Sequence, residues 1–243
     1  MRLAALLLAM LAAAWAPPAA RAAAGLSLGW GDCRAGGSGT DIQRFGCASS
    51  FVELPLFPAF VLAATVDSVI SMELVIDVDV AADSLPAWWR TDQGQCREGG
   101  WSADTEAPST CVDAWNTFGV ASFQGWIAGT PGSSIRHGRL LVAAAAVPGT
   151  LVKLDADVLY TACRVVLRTI NTPTCAGCEI PACLVFNSLL IRRAPGSSVE
   201  EIPLFAPESP GLTFVHWQDG PGADCQSVPV RRSTWGAVKA LYR

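Results

Sequence analysis

The chain has 243 residues, 51% of them hydrophobic, with 17 Lys and Arg against 21 Asp and Glu and two His. No basic block interleaved with aromatic residues occurs, so the electrostatic footprint of a nucleic-acid-binding protein is missing. Beyond the N-terminal leader no stretch reaches the roughly 18 uninterrupted apolar residues that a spanning helix needs; Leu54 to Ala64 comes nearest, cut by Pro55 and Pro58.

The leader reads as a secretory signal. Met1 and Arg2 make a short basic start, Leu3 to Ala16 an apolar run, Pro17-Pro18 a break, and Ala22-Ala23-Ala24 a small-residue cleavage site before Gly25. Arg2 and Arg21 fall inside it, so residues 25–243 keep 15 basic against 21 acidic side chains, a net charge of −6. No cysteine sits at the cleavage site to take a lipid. The expected product is one domain over residues 25–243, secreted to the periplasm, cell surface or medium, and large enough to bury its own core.

In chain order, the first predicted strand is Leu26–Trp30, followed by the Gly36-Gly37-Ser38-Gly39 turn and a strand at Phe60–Thr65. Met72, Leu74, Ile76, Val78 and Val80 then alternate with Glu73, Val75, Asp77 and Asp79, the period of a half-buried antiparallel strand with its acids in solvent. A long segment without periodicity runs from Ser84 to Gly119; Pro86 can open a short helical turn there, which would make Trp88 and Trp89 diverge. Further strands follow at Val120–Ile127, Leu140–Val147, Val158–Ile170, Leu184–Ile191, Val199–Leu204 and Leu212–Trp217, with Pro-Gly and Asn-Thr-Pro turns between them. Ser233 or Thr234 can cap a terminal helix whose Trp235, Val238 and Leu241 or Tyr242 share a face. About eight strands and almost no helical periodicity predict an all-β fold. The form expected is a disulfide-braced antiparallel β-sandwich, jelly-roll-like, with a short C-terminal helix; a flattened barrel is the alternative.

Nine cysteines behind an export signal read first as disulfides. The simplest pairing is local, Cys33 with Cys47 and Cys96 with Cys111, each closing a Gly-rich loop. Cys163 lies on the apolar face of its strand with Leu159, Val165 and Leu167, and is the candidate free thiol. Cys175, Cys178, Cys183 and Cys225 supply two more bridges in any pairing, Cys225 tying the C-terminal segment to the 175–183 loop. Zinc at C-x2-C-x4-C is weighed against these bridges and set second, because the spacing is only partly zinc-like. A redox C-x-x-C lacks the helix N-terminus that would stabilise its thiolate. No metal and no cofactor is expected.

Trp88, Trp89, Trp101 and Trp115 crowd the segment from Ser84 to Gly119, with Trp126 close behind. Flat indoles on a braced loop can stack on sugar faces, and Arg90, Asp92, Gln93, Asp104, Asp113 and Asn116 could bind hydroxyls. The plainer reading makes these rings the core of an irregular loop. Glu73, Asp77 and Asp79 do not curl around a cation as a calcium loop does, and read as a solvated strand face. Arg164 and Arg168 share a face with Tyr160 and could pair with Glu73 or Asp77 across strands. His137 follows Ser133 and Ser134 in a Gly-rich turn, where a histidine is ordinarily solvent-exposed, and no G-x-S-x-G elbow is present.

Several segments together resemble a group of secreted bacterial proteins of unknown function. They are Gly25-Leu-Ser-Leu-Gly-Trp-Gly-Asp-Cys33, the L-P-x-W-W element Leu85-Pro-Ala-Trp-Trp89, Cys175-Ala-Gly-Cys178 with Pro181-Ala-Cys183 and Asn187, and the ending Thr234-Trp-Gly-Ala-Val-Lys-Ala-Leu-Tyr-Arg243. The resemblance implies a secreted single domain and assigns no activity. The functional expectation is a secreted non-catalytic binding or structural protein whose partner is a glycan or a surface protein, glycans being met by the Trp-rich 84–126 region. The alternatives are a glycan hydrolase using paired carboxylates and a purely structural surface or adhesion component.

Overall fold

The computed structural model describes residues 25–129, 135–206, 212–219 and Cys225. The signal peptide and the C-terminal helix expected from the sequence lie outside them. Among the described residues there are fourteen strands and no α-helix. The strands are β1 Gly25–Trp30, β2 Ile42–Gln43, β3 Glu53–Val61, β4 Val66–Val80, β5 Trp101–Asp104, β6 Val112–Asp113 and β7 Gly119–Ala128. The second half adds β8 His137–Ala146, β9 Val152–Leu154, β10 Leu159–Thr161, β11 Arg164–Arg168, β12 Ala182–Arg193, β13 Glu201–Phe205 and β14 Phe214–Trp217.

They form two sheets. The smaller runs β5-β11-β3-β10-β6, with β1 also on β3; the larger runs β2-β14-β12-β4-β8-β7, with β13 beside β14 along β12 and β9 on the end of β4. Pairing is antiparallel except for β14 with β2 and β10 with β6. One apolar core lies between the sheets. Leu26 and Leu28 of β1, Leu56 and Phe60 of β3, Leu74, Ile76 and Val78 of β4, Leu140 and Val142 of β8, and Leu184 and Phe186 of β12 all enter it. Their alternation along each strand is what makes a two-layer arrangement, because a period of two sends every second side chain to the same face.

Two of the differences from the predicted strands involve prolines. The strand expected at Phe60–Thr65 is β3, which starts earlier at Glu53 and runs through Pro55 and Pro58. A proline cannot donate to a ladder, and each sits where no donor is wanted. Pro55 faces the end of β1, where Gly31 N–H donates to its carbonyl (2.9 Å). Pro58 faces the opposite neighbour at the point where that strand breaks. The predicted single strand Val158–Ile170 is accordingly two, β10 and β11, separated by Ala162 and Cys163. At the break the Thr161 hydroxyl donates to the Pro58 carbonyl (3.1 Å).

The cysteine pairing expected from proximity in sequence is overturned. The bonds are Cys33–Cys111, Cys47–Cys178, Cys96–Cys175 and Cys183–Cys225, with Cys163 free and buried. Neither local pair forms, because each Gly-rich loop is bonded to a different loop, 78 to 131 residues away in sequence, rather than to itself. Of the last four cysteines only Cys183 and Cys225 pair with each other; Cys175 and Cys178 reach back to Cys96 and Cys47.

Candidate functional site

The aromatic-rich segment is interior. Pro86 does introduce a single 3-10 turn, Ala87–Trp89, but the two rings do not diverge as expected: they meet edge to face, 4.8 Å between centroids and at 80°. Yet Trp88, Trp89 and Trp115 have no exposed surface, and Trp101 keeps only 3%. The rings continue one another through the core. Trp30 meets Trp217 (6.3 Å between centroids), Trp217 stacks on Trp88 (4.6 Å), Trp88 meets Trp89 (4.8 Å), Trp89 meets Trp101 (6.4 Å), and Trp101 meets Trp126 (6.4 Å). The platform expected from Trp88, Trp89, Trp101 and Trp115 is therefore corrected: these indoles fill the space between the sheets, where a sugar cannot reach them. Their large apolar area takes the place of regular structure in the 84–119 segment. Trp88 donates to the Thr172 hydroxyl (3.2 Å), Trp115 to the Ala162 carbonyl (2.7 Å) and Trp217 to the Cys178 carbonyl (2.7 Å).

Arg97 belongs to the same cluster, although its sequence context gives no sign of it. It is fully buried, its guanidinium lies 3.8 Å from the Trp88 ring, and it donates to the carbonyls of Trp88 (2.8 Å), Ile170 (3.3 Å) and Arg168. Burial pushes it down to about 9, which still leaves it protonated at neutral pH. It closes one end of the core by gathering carbonyls from the Ala87–Trp89 turn and from the end of β11 and the residues after it. The other residues named with the platform do not converge. Arg90 is exposed and donates to the Leu85 carbonyl (3.2 Å), while Asp104 pairs with Arg164 (2.7 Å). Asp113 caps its own turn, accepting from the N–H groups of Trp115 and Thr117.

The chemistry-bearing side chains instead meet on the outer face of the larger sheet. In register across β14, β12, β4 and β8 lie His216, Cys183, Asp79 and His137. The next row on the same face holds Phe214, Val185, Asp77 and Arg139, continuing to Ile127 of β7. Both histidines of the chain are thus in one row. Arg139 grips Asp77 with two parallel bonds, Nε to Oδ1 (2.6 Å) and Nη2 to Oδ2 (2.8 Å), and Asn187 Nδ2 adds a third (2.5 Å). Asp79 lies 2.9 Å from Arg136 Nε and 3.0 Å from His137 Nε2. Glu73 takes Arg192 (3.1 Å), which also reaches Glu201. His216 packs on the Cys183–Cys225 bridge, its Nδ1 3.6 Å from Cys225 Sγ.

Three expectations are corrected here. The acids of β4 are not a solvated face: Asp77 is 6% and Asp79 0% exposed. A carboxylate is buried only with partners that replace its water, and β8 supplies them directly opposite. His137 is not a turn residue either; it opens β8 and its side chain is 13% exposed. Arg164 and Arg168 pair with Asp104, Glu106 and Glu53 within the smaller sheet, since β11 and β4 belong to different sheets. The alternation of polar His137 and Arg139 with buried Gly138, Leu140 and Val142 was readable in the sequence. It would have extended the Leu140–Val147 strand by one turn of the pleat and shown which side chains face the acids of β4.

An aspartate holding a histidine is the orienting half of an acid–base pair. Among the described residues no hydroxyl or thiol hydrogen-bonds to the His137 ring, and no group of three His, Cys, Asp or Glu is disposed to hold a metal ion. The arrangement's charges are used against one another, which suits locking strands in register. A scan of protein-family models, a search of curated proteins and a search of solved structures each find no match to this chain.

Proposed function

We propose that this protein is a secreted, non-catalytic binding or structural protein that works in an oxidising compartment. The observation that carries the reading is the bridge pattern. Four disulfides span 42 to 131 residues of sequence, three joining loop to loop and one joining Cys183 of β12 to Cys225. Such bonds persist where thiols are not kept reduced. The leader over residues 1–24 and the resemblance of the Leu85–Trp89 and Cys175–Cys183 elements to secreted bacterial proteins point the same way. The non-catalytic part rests on the two buried carboxylates among the described residues, Asp77 and Asp79, each bound by an arginine. A hydrolase needs one of its two acids protonated and the other free to attack or to activate water. The buried indoles leave any partner, glycan or protein, to the exposed loops and edges.

Expression of the whole chain in a bacterial host tests the proposal. The expected product is exported, begins at Gly25 and yields one alkylatable thiol after denaturation without reductant. Retention inside the cell with nine reactive thiols overturns the secreted reading. Incubation with a panel of soluble glycans tests the other half: new reducing ends, abolished by Asp77→Asn or Asp79→Asn, would make it an enzyme. Saturable glycan binding without cleavage selects a binding role over a purely structural one.

A further inference from the structure

An antiparallel sheet with one face on the core ordinarily leaves its other face in water. Half of the larger sheet's outer face departs from this. Val75 of β4 is 5% exposed, and Leu141 of β8, directly opposite it, 3%. Both point away from the core between the sheets. Among the described residues the hydrophobic side chain packed against them is Ile127 of β7. Asp77, Asp79, Arg139, Cys183 and Val185 share the face and are buried as well. Every described strand belongs to one of the two sheets, and the smaller sheet packs on the opposite side. No described strand therefore lies over these residues.

The cover has a boundary. One row further along the same strands, Leu190, Glu73 and Ala143 are partly exposed, and in the row beyond so are Arg192, Ser71 and Ala145. β4 lies between β12 and β8 in both halves, so flanking by neighbouring strands does not make the difference. The covered half is the one that holds Cys183, whose bridge to Cys225 packs on this face against Val185.

Four stretches of the chain outside the described residues adjoin this sheet. Residues 130–134, 207–211 and 220–224 are Thr-Pro-Gly-Ser-Ser, Pro-Glu-Ser-Pro-Gly and Gly-Pro-Gly-Ala-Asp, with nothing more apolar than proline or alanine. Residues 226–243 carry Val228, Val230, Trp235, Val238, Leu241 and Tyr242, and they start from Cys225, on the covered half. Their length fits the distance. The Val75–Leu141 pair lies four residues along β4 and up to two strands across from Cys183, about 16 Å by strand geometry. Residues 226–232 reach up to about 23 Å when extended. A helix over 234–243 would be about 15 Å long and about 10 Å across, the size of the covered half.

We propose that residues 226–243 form a strap across the outer face of the larger sheet, seating Trp235, Val238 and Leu241 or Tyr242 on Val75, Leu141 and Ile127. Those four side chains recur three to four residues apart, the spacing of one helical face. The Cys183–Cys225 bridge holds one end of the strap beside its site, so closing it over the face costs little further chain entropy. Segment and face need each other. A helix this short is marginal without tertiary packing, and Gly236 weakens it further; without the strap, Val75 and Leu141 would stand in water. The strap also keeps water from the Asp77–Arg139 and Asp79–His137 pairs.

Trypsin and a photocrosslinker test this on the whole oxidised protein. Cleavage after Lys239 requires the strap to leave the sheet, and it releases residues 240–243 whatever the state of the bridge. In the native protein it should be slow. In Leu141→Glu it should be faster by at least about tenfold, because proteolysis follows the population of the open form. The circular dichroism spectrum should keep its β character, since residue 141 points away from the core. A glutamate at a position facing water would leave the rate unchanged, so equal rates in the two proteins overturn the proposal. A benzophenone amino acid in place of Val238 supplies the second measurement. On irradiation it should attach to residues 73–79 or 139–143 of the same molecule. Attachment only to other segments, or only to a second molecule, overturns the proposal even if Leu141→Glu fails to fold.

Discussion

Cys163 shows how a single side chain reports on its surroundings. It is 1% exposed, at the break between β10 and β11, and burial together with the nearby Asp104 charge holds its thiol far above the ordinary range. The native state therefore keeps this proton at pH values where the unfolded chain gives it up. An acid whose folded pKa is raised contributes stability that is complete below the unfolded value and declines as pH rises past it. Comparison of wild type with Cys163→Ala should isolate that contribution. From about pH 9 upward, wild type should lose stability relative to the variant by about 1.4 kcal/mol per pH unit, measured by urea unfolding at a series of pH values. Parallel curves would place the thiol in contact with water. Arg97 makes the converse point. Its neighbours Glu98 and Gly99 suggest a surface loop, and only the Trp88 ring and three carbonyls explain its burial.

The strand β4 is the element whose two faces have different tasks. Its even-numbered side chains from Met72 to Val80 enter the core between the sheets, while Glu73, Asp77 and Asp79 register β4 against β8 and β12. A one-residue slip would exchange these faces, moving acids into the apolar core. The Asp77–Arg139–Asn187 contacts thus favour one register as much as they add stability. Removing one partner of a buried pair is costly because the other charge is stranded. Asp77→Asn should lower stability by about 3–5 kcal/mol, whereas Asp77→Leu with Arg139→Met should recover most of that loss. A double variant as unstable as the single one would show that packing against the new side chains, not the stranded charge, sets the cost. The pattern of β4 was legible in the sequence, but not the burial of its outer face. Alternation distinguishes the two faces of a strand without saying what lies over either.

For the whole molecule, the disulfides decide how the loops are held to the sheets. Cys33–Cys111 packs against Phe57 and Ala59 outside β3, and Cys183–Cys225 against Val185 outside β12. Cys175 and Cys178 sit in the core beside the tryptophans. Cys47–Cys178 closes the longest loop, 131 residues. A bond of that reach restricts the unfolded chain most, by about 3–5 kcal/mol in the chain-entropy account. Replacing both partners, Cys47→Ala with Cys178→Ala, should lower the unfolding midpoint in urea by a corresponding amount while leaving the other three bonds in a non-reducing peptide map. A reshuffled map would mean that the native pairing depends on this bond to exclude others.

What the sequence determined by itself was local. Period-two alternation in Met72–Val80, turn residues between short β-rich runs, and the absence of helical spacing were enough for an all-β chain with two faces to each strand. What only the tertiary structure decided were the encounters between distant segments. Cys47 lies 131 residues from Cys178, Asp77 is 62 residues from Arg139, and Trp30 meets Trp217 across nearly the whole described chain. A backbone pattern fixes which way a side chain points from its own strand. Which strand comes to lie opposite, and whether another layer then shuts out water, depends on the packing of all the described strands at once.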